Sequence, residues 1–246
     1  MVKIALVVST VGYHWEELYG AYDELDGAGF ALDLFTVDGS PPRADPMSLR
    51  HTGPLSLVGL GIAKGIDPST PRGRQIEAAL ATVRPVTELD PSAYQAIYLP
   101  GGHGCLFDVN GNEALHAKIA ALYRANKILS AVCHATSTFA LVKIDGRSIA
   151  AGKQLTGFPQ LLDDLLIPAG AVDRAFLPLP LSNERVLRRE GVAVPPLDPW
   201  RGAMNPRHMC ISLPFITGVG PKSARPVARA VIRELRARGV QPAAAA

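Results

Sequence analysis

Three places in the chain put side chains capable of making bonds just after an apolar run. Glu16-Glu17 follow Val2 to Ser9, Gly102-His103 follow Ala96 to Leu99, and Cys133-His134 follow Ile128 to Val132. The last is the sharpest signal. Ile128-Leu129-Ser130-Ala131-Val132 contains no Pro or Gly and reads as a strand covered on both faces. The small or apolar residues Ala135 to Val142 read as a helix. Cys133 therefore falls on a sharp strand-to-helix turn, which lifts a side chain clear of the sheet edge as a nucleophile elbow does. The first amides of a following helix favour an anion, so a stabilised thiolate is expected there.

These residues act together only if the fold gathers them. Val2 to Ser9 reads as a central strand, Trp15 to Ala28 as a helix stopped at Gly29, and Phe30 to Val37 as a second strand. This βαβ start implies a parallel sheet. Asp38 to Thr70 is rich in Gly, Pro, Ser and Asp and reads as a long excursion, the kind that is functional or disordered in compact domains. A short helix is expected at Arg72 to Val83, a strand at Ala96 to Leu99 and an amphipathic helix at Asn112 to Asn126. Asp145-Gly146 marks a turn, Gln154 to Thr156 a short strand, and Pro159 to Leu166 a short helix or turn.

Between Ala169 and Asn205, Pro-rich pieces flank a helix at Ser182 to Glu190 with Ser182 as N-cap. Met209 to Leu213 and Phe215 to Thr217 read as strands able to pair. A closing helix lies within Pro221 to Arg238, with Ser223 as N-cap and Pro226 in its first turn. The expected architecture is α/β: a flavodoxin-like sandwich with a mostly parallel central sheet, helices on both faces and a cysteine at the elbow. One domain would cover residues 1–240, with insertions near 38–70 and 167–205 and a disordered tail at 241–246. In such sheets ligands bind beyond the carboxyl ends of the strands. The strand ends at Ser9, Leu99 and Val132 should therefore converge.

Composition narrows the function classes. Of 246 residues 48% are hydrophobic and 19% charged, and the net charge of +3 is too small to argue for a nucleic-acid partner. Three cysteines, Cys105, Cys133 and Cys210, form no disulfide framework and suit a reducing compartment. The first residues run straight into a strand without a signal-peptide pattern. No apolar run reaches the roughly 18 residues of a membrane span. A cytoplasmic protein is expected, with no membrane partner.

The order of motifs resembles the ThiJ/PfpI superfamily. It is carried by an acidic residue after Gly12-Tyr13-His14-Trp15, by Pro100-Gly101-Gly102-His103-Gly104 after a strand, and by Ala131-Val132-Cys133-His134 before a helix. Asp45-Pro46-Met47-Ser48-Leu49, Asp90-Pro91-Ser92-Ala93-Tyr94, Gly152 to Phe158 and Ile216 to Ala224 are similar to the glyoxalase III and heat-shock chaperone branch. The resemblance implies Cys133 as nucleophile and Glu17, rather than Glu16, as the carboxyl sharing a proton with it. It implies His134 as the triad histidine, Asp163 as the residue orienting it (Asp164 competes), and the amides of Gly102 and His103 as an oxyanion hole. A buried carboxyl beside a thiolate keeps its proton, because desolvation and the anion both raise its pKa, and it can serve as acid and then base.

The implied activity is conversion of methylglyoxal or a related 2-oxoaldehyde to a 2-hydroxy acid, with no glutathione, metal or other cofactor. The small aldehyde is the expected partner, with a homodimer expected from the resemblance alone. A holding chaperone for unfolded polypeptides and a Cys-His-Asp peptidase or amidase are the alternatives. The His residues show no metal-ligand spacing. Glu16 reads as solvated, Cys105 as a packed or semi-exposed thiol, and Cys210 as core. Two departures stand out: Ala135-Thr136 replaces the branch's Gly-Pro after Cys-His, and Gly218-Val219-Gly220-Pro221 replaces Gly-Gln-Asn-Pro.

Overall fold

The computed structural model describes residues 2–49, 67–196 and 208–242. Parts of the expected insertions (50–66 and 197–207) and residues 243–246 of the expected tail lie outside the described residues.

The uninterrupted apolar runs become the middle of a sheet. β1 (Lys3–Val7), β2 (Ala31–Thr36), β3 (Arg84–Pro85), β4 (Tyr94–Leu99) and β5 (Ile128–Val132) are joined through helices. A hairpin of β6 (Lys143–Ile144) and β7 (Arg147–Ser148) stands apart around the expected Asp145-Gly146 turn. β8 (Met209–Ser212) and β9 (Phe215–Gly218) complete the main sheet. Its order is β3-β2-β1-β4-β5-β9-β8. Every neighbouring pair is parallel except β8 and β9, which pair antiparallel. The mostly parallel α/β sandwich expected from the sequence is the architecture found.

The period of two along β1 feeds two cores. Ile4 and Leu6 join one apolar cluster, Ala5 and Val7 the other. On the first face pack α1 (Trp15–Gly27), α2 (Pro71–Leu80) and, near the end of the chain, the long α7 (Ala224–Ala237). On the second pack α3 (Glu113–Arg124), α4 (Ser137–Leu141) and α6 (Asn183–Arg189). A further short helix, α5 (Gln160–Leu166), rests Leu162 and Leu166 on the first core. Side-chain caps start several of these helices: Thr70 accepts from the Gly73 amide, Asn112 from Leu115, and Ser182 from Arg185. Among the described residues no helix is long and apolar enough to cross a membrane.

Several expectations change. Ser223 precedes α7 but does not cap it, because its hydroxyl accepts from the Gly220 amide instead. Gln154 to Thr156 is not a strand. Gln154 makes one bridge to Ala193, and the Thr156 amide bonds the Thr217 hydroxyl rather than a sheet carbonyl. Cys210 is only half-buried, since β8 is an edge strand with one side unpaired among the described residues. Glu16 is buried rather than solvated, with Lys222 Nζ 2.7 Å from its Oε1. Cys105 meets its expectation as a packed thiol: it is fully buried and donates to the Pro100 carbonyl at 3.4 Å.

Phe215 sits on β9, next to the edge strand β8, and is fully buried between Tyr123 (ring centroids 5.9 Å) and Phe139 (5.5 Å). Phe215→Ala should lower the unfolding free energy by about 3–5 kcal/mol, measured by urea denaturation, since the rigid surroundings close only partly over the cavity.

Candidate active site

The carboxyl ends of β1, β4 and β5 do converge, and backbone hydrogen bonds knit the loops that leave them. The His14 amide donates to the Gly101 carbonyl (2.8 Å), and the Gly104 amide to the Gly12 carbonyl (3.0 Å). The loop after β2 is tied to the same place. Its Asp45 amide donates to the Tyr13 carbonyl (2.8 Å), and the Trp15 amide at the start of α1 donates to the Ser48 hydroxyl (3.1 Å). Gly101 has no space for a side chain: a Cβ there would lie 2.7 Å from the Cys133 Cβ, from Glu17 Oε2 and from the Val132 carbonyl.

Cys133 ends β5 with φ 57°, in the left-handed region that a non-glycine residue occupies at a cost of about 1–3 kcal/mol. Val132 before it is extended, and a 3-10 turn, Cys133–Thr136, follows it. This tight reversal is the elbow geometry. Hydrogen bonds from several elements hold it. The Thr136 hydroxyl donates to the Cys133 carbonyl (2.9 Å) and to Asn183 Oδ1 (3.2 Å), while Asn183 Nδ2 donates to the His134 carbonyl (3.0 Å). From the other side Asn110 Nδ2 donates to the Ser137 hydroxyl (2.8 Å), which in turn donates to the His134 carbonyl (3.0 Å). Thr136, one of the two off-pattern residues, is therefore an anchor of the turn. Ala135, the other, is buried in the core behind it.

The side chains around the elbow form a chain of contacts. Glu17, in the first turn of α1, is fully buried and its Oε2 accepts from the Gly101 amide at 2.7 Å. Its Oε1 is buried with no hydrogen-bond partner among the described residues, and the Glu17 carboxyl and Cys133 thiol influence each other's protonation. Burial pushes the Glu17 carboxyl up to about 8, against the opposing pull of the Gly101 amide. The Cys133 Sγ lies 3.3 Å from His134 Nδ1, and His134 Nε2 lies 3.2 Å from Asp163 Oδ1. Asp163 is buried on α5, whereas Asp164 accepts a hydrogen bond from the Gln160 side chain nearer the surface. Burial pushes the His134 imidazole down despite Asp163.

The stabilised thiolate expected from the helix start is not what this pocket favours. Burial, and then the charge of Glu17, push the Cys133 thiol well up. The reason is local. A 3-10 turn and the five-residue α4 supply little dipole, and desolvation outweighs them. Cys133 and Glu17 thus form a buried pair that shares protons rather than a preformed anion.

Sequence reading did not find Asp45 or His14 as site residues. Asp45 Oδ2 lies 2.7 Å from His103 Nδ1, and its Oδ1 accepts from the Met47 amide at 2.9 Å. Burial is the largest single influence on the Asp45 carboxyl and would raise it, but His103, the Met47 amide and His14 together outweigh it and the net shift is downward. His14 is pushed down to about 3 by burial and is neutral. Gly102, His103, Cys133 and His134 line one cleft of about 500 Å³, open in part to solvent, with Phe158 and Met47 among its apolar walls. The His134 ring stacks on Phe158 at 4.6 Å and lies 5.0 Å from the His103 ring. Among the described residues, His103, His134 and Asp163 are the group able to hold a metal ion, with ligand atoms within 4.8 Å of one another. A cation there would have to replace the His134–Asp163 hydrogen bond.

Such a fold, with an elbow cysteine flanked by a buried carboxyl and a histidine, defines a class of α/β proteins. Residues 2–177 match the DJ-1/PfpI family, and the chain belongs to it. A Candida albicans protein named Glyoxalase 3 is 28% identical over 161 residues, 64% of this chain and 65% of that one. The chain thus spans just under two thirds of that relative's length. A Schizosaccharomyces pombe protein named glutathione-independent glyoxalase hsp3101 is 25% identical over 228 residues, 90% of this chain and 86% of its own. The crystal structure of glyoxalase III from Candida albicans has the same fold, with a TM-score of 0.71 at 22% identity, covering 94% of this chain and 96% of that one.

The raised Glu17 carboxyl has a consequence for stability. Its folded pKa lies above the unfolded one, so the protein loses stability as pH rises from about 4.5 through about 8. Glu17→Gln keeps an acceptor for the Gly101 amide and cannot ionise. The variant should match the wild type at pH 4 and be the more stable of the two at pH 8–9, as read by urea unfolding at each pH.

Proposed function

We propose that the protein converts methylglyoxal or a related 2-oxoaldehyde to the 2-hydroxy acid, without glutathione, through a covalent adduct on Cys133. The observation that carries this reading is Glu17, a buried carboxyl of raised pKa placed beside the cysteine by the Gly101 amide. The names of the relatives point the same way. A hydrolase needs only the Cys133–His134–Asp163 relay. Moving a carbon-bound proton needs a further acid–base group, and Glu17 is one whose pKa sits near working pH.

Cys133 Sγ adds to the aldehyde carbon, and its proton passes to His134 Nδ1. Asp163 steadies the imidazolium that forms. The aldehyde oxygen, now an oxyanion, accepts from the Gly102 and His103 amides, an effect worth roughly 3–4 kcal/mol per well-placed donor, and then takes a proton as the hemithioacetal forms. Glu17 supplies that proton, His134 keeps the one from the thiol, and the carboxylate so formed removes the proton on C1 and returns it to C2. The product of this isomerisation is a thioester of the 2-hydroxy acid. Water then cleaves the thioester and restores Cys133. The resemblance adds a cytoplasmic homodimer with a role in stress protection to the proposal.

Purified protein should form lactate from methylglyoxal with no thiol cofactor present. Cys133→Ala should abolish turnover, and Glu17→Gln should lower kcat by about 10²–10⁴-fold with a smaller change in KM. Lack of lactate formation by the wild type rejects the reading. Release of an acyl group from amide or ester substrates, unaffected by Glu17→Gln, would establish the hydrolase instead.

A further inference from the structure

The isomerisation at the centre of that reaction moves two protons, and the groups assigned so far account for one. In the hemithioacetal, C1 carries a hydrogen and a hydroxyl, and C2 is a ketone. In the thioester, C1 is the carbonyl and C2 carries the hydrogen and the hydroxyl. One proton therefore crosses from C1 to C2, and a second crosses from the C1 oxygen to the C2 oxygen. Glu17 sits beside the sulfur and serves the carbons. His134 is bonded to Cys133 on one nitrogen and to Asp163 on the other, so neither of its nitrogens faces a second oxygen without breaking a contact.

A third imidazole in the same cleft has a nitrogen to spare. His103 Nδ1 is held at 2.7 Å by Asp45, whose other oxygen is fixed by the Met47 amide. A carboxylate at that distance accepts a hydrogen bond from Nδ1–H, which leaves Nε2 as an acceptor when the ring carries one proton. His103 Nε2 is buried and has no hydrogen-bond partner among the described residues. A buried polar atom with no partner is uncommon and carries a desolvation penalty unless a ligand satisfies it. The ring is braced between His134 at 5.0 Å and Phe176, stacked at 6.0 Å, and it lines the cleft together with Cys133.

We propose that His103 is a catalytic residue of this site, held by Asp45, and that its Nε2 carries the proton from the C1 oxygen to the C2 oxygen of the Cys133 adduct. The inference rests on the 2-oxoaldehyde reading above. Nε2 takes the hydroxyl proton as the C1–O bond becomes a carbonyl. It gives that proton to the C2 oxygen, which receives the electron pair of the former ketone. The two oxygens lie on adjacent carbons, so one nitrogen reaches both with little movement. The ring starts and ends neutral, and no oxidant, reductant or second substrate enters. The same site asks for a substrate with oxygens on neighbouring carbons, which selects 2-oxoaldehydes over simple aldehydes.

The test compares wild type, His103→Gln, His103→Ala and Asp45→Asn on methylglyoxal, with two readouts besides lactate. One is the rate at which iodoacetamide alkylates Cys133. The other is the protection from alkylation that methylglyoxal gives by occupying the sulfur. His103→Gln should lower kcat by about 100-fold or more, with alkylation and its protection within about twofold of wild type, because the adduct still forms. Asp45→Asn should act in the same direction, and added imidazole should restore part of the turnover of His103→Ala. A kcat for His103→Gln within threefold of wild type overturns the role of His103 and leaves the 2-oxoaldehyde reading intact. So does a loss of turnover matched by equal losses in alkylation and protection, which would mark His103 as structural. Absence of lactate formation by the wild type overturns both.

Discussion

The site exists because three chain segments meet where there is no space for a side chain. At Gly101 the backbone after β4 passes against the Cys133 Cβ and the Glu17 carboxylate, with the Val132 carbonyl as close. That contact sets the separation of acid and sulfur, since the Gly101 amide grips one carboxylate oxygen at 2.7 Å. The other loop-to-loop bonds follow from it: His14 to Gly101, Gly104 to Gly12, and Asp45 to Tyr13. The parallel sheet brings the strand ends to one edge, and the glycine lets them close to contact distance.

Burial then determines the chemistry. Glu17, His134 and Asp163 are almost wholly removed from water, and each shift at the site has desolvation as its largest cause. The carboxyl and the thiol both hold their protons more tightly, and His134 holds its own less tightly. A pocket of this kind does not store a free thiolate. It stores proton donors and acceptors at short range, and charge appears when a substrate adds. The strained backbone at Cys133 is maintained by neutral hydrogen bonds from Thr136, Asn183 and Asn110, which need no counter-charge in a low-dielectric site.

Much of the framework was legible in the chain. Ile128 to Val132 forms β5 at those limits, and Ser182 caps the helix it was expected to cap, because runs of apolar residues and N-cap hydrogen bonds are local effects. The elbow was legible for the same reason, as an abrupt polar pair after a buried strand. What escaped depends on partners far away in sequence. Asp45 meets His103 across 58 residues, and Lys222 meets Glu16 across 206. Neither has a local pattern, so Asp45 passed as loop and Glu16 as surface. Cys210 looked like core because its neighbours Met209 and Ile211 are apolar, but edge position in the sheet outranks composition. The dipole argument at Cys133 failed on helix length, which periodicity does not measure over the eight residues from Ala135 to Val142.

Asn183 gives the architecture an uneven inheritance. The stretch that carries the family match ends at residue 177, yet Asn183, beyond it, grips both the His134 carbonyl and the Thr136 hydroxyl. The matched stretch carries Glu17, Cys133, His134 and Asp163, and an appendage to it supplies part of the brace behind them. Variation in that appendage reaches the bend that presents the sulfur without altering any atom that reacts. A brace so placed lets the pocket be retuned from the back, leaving the front untouched.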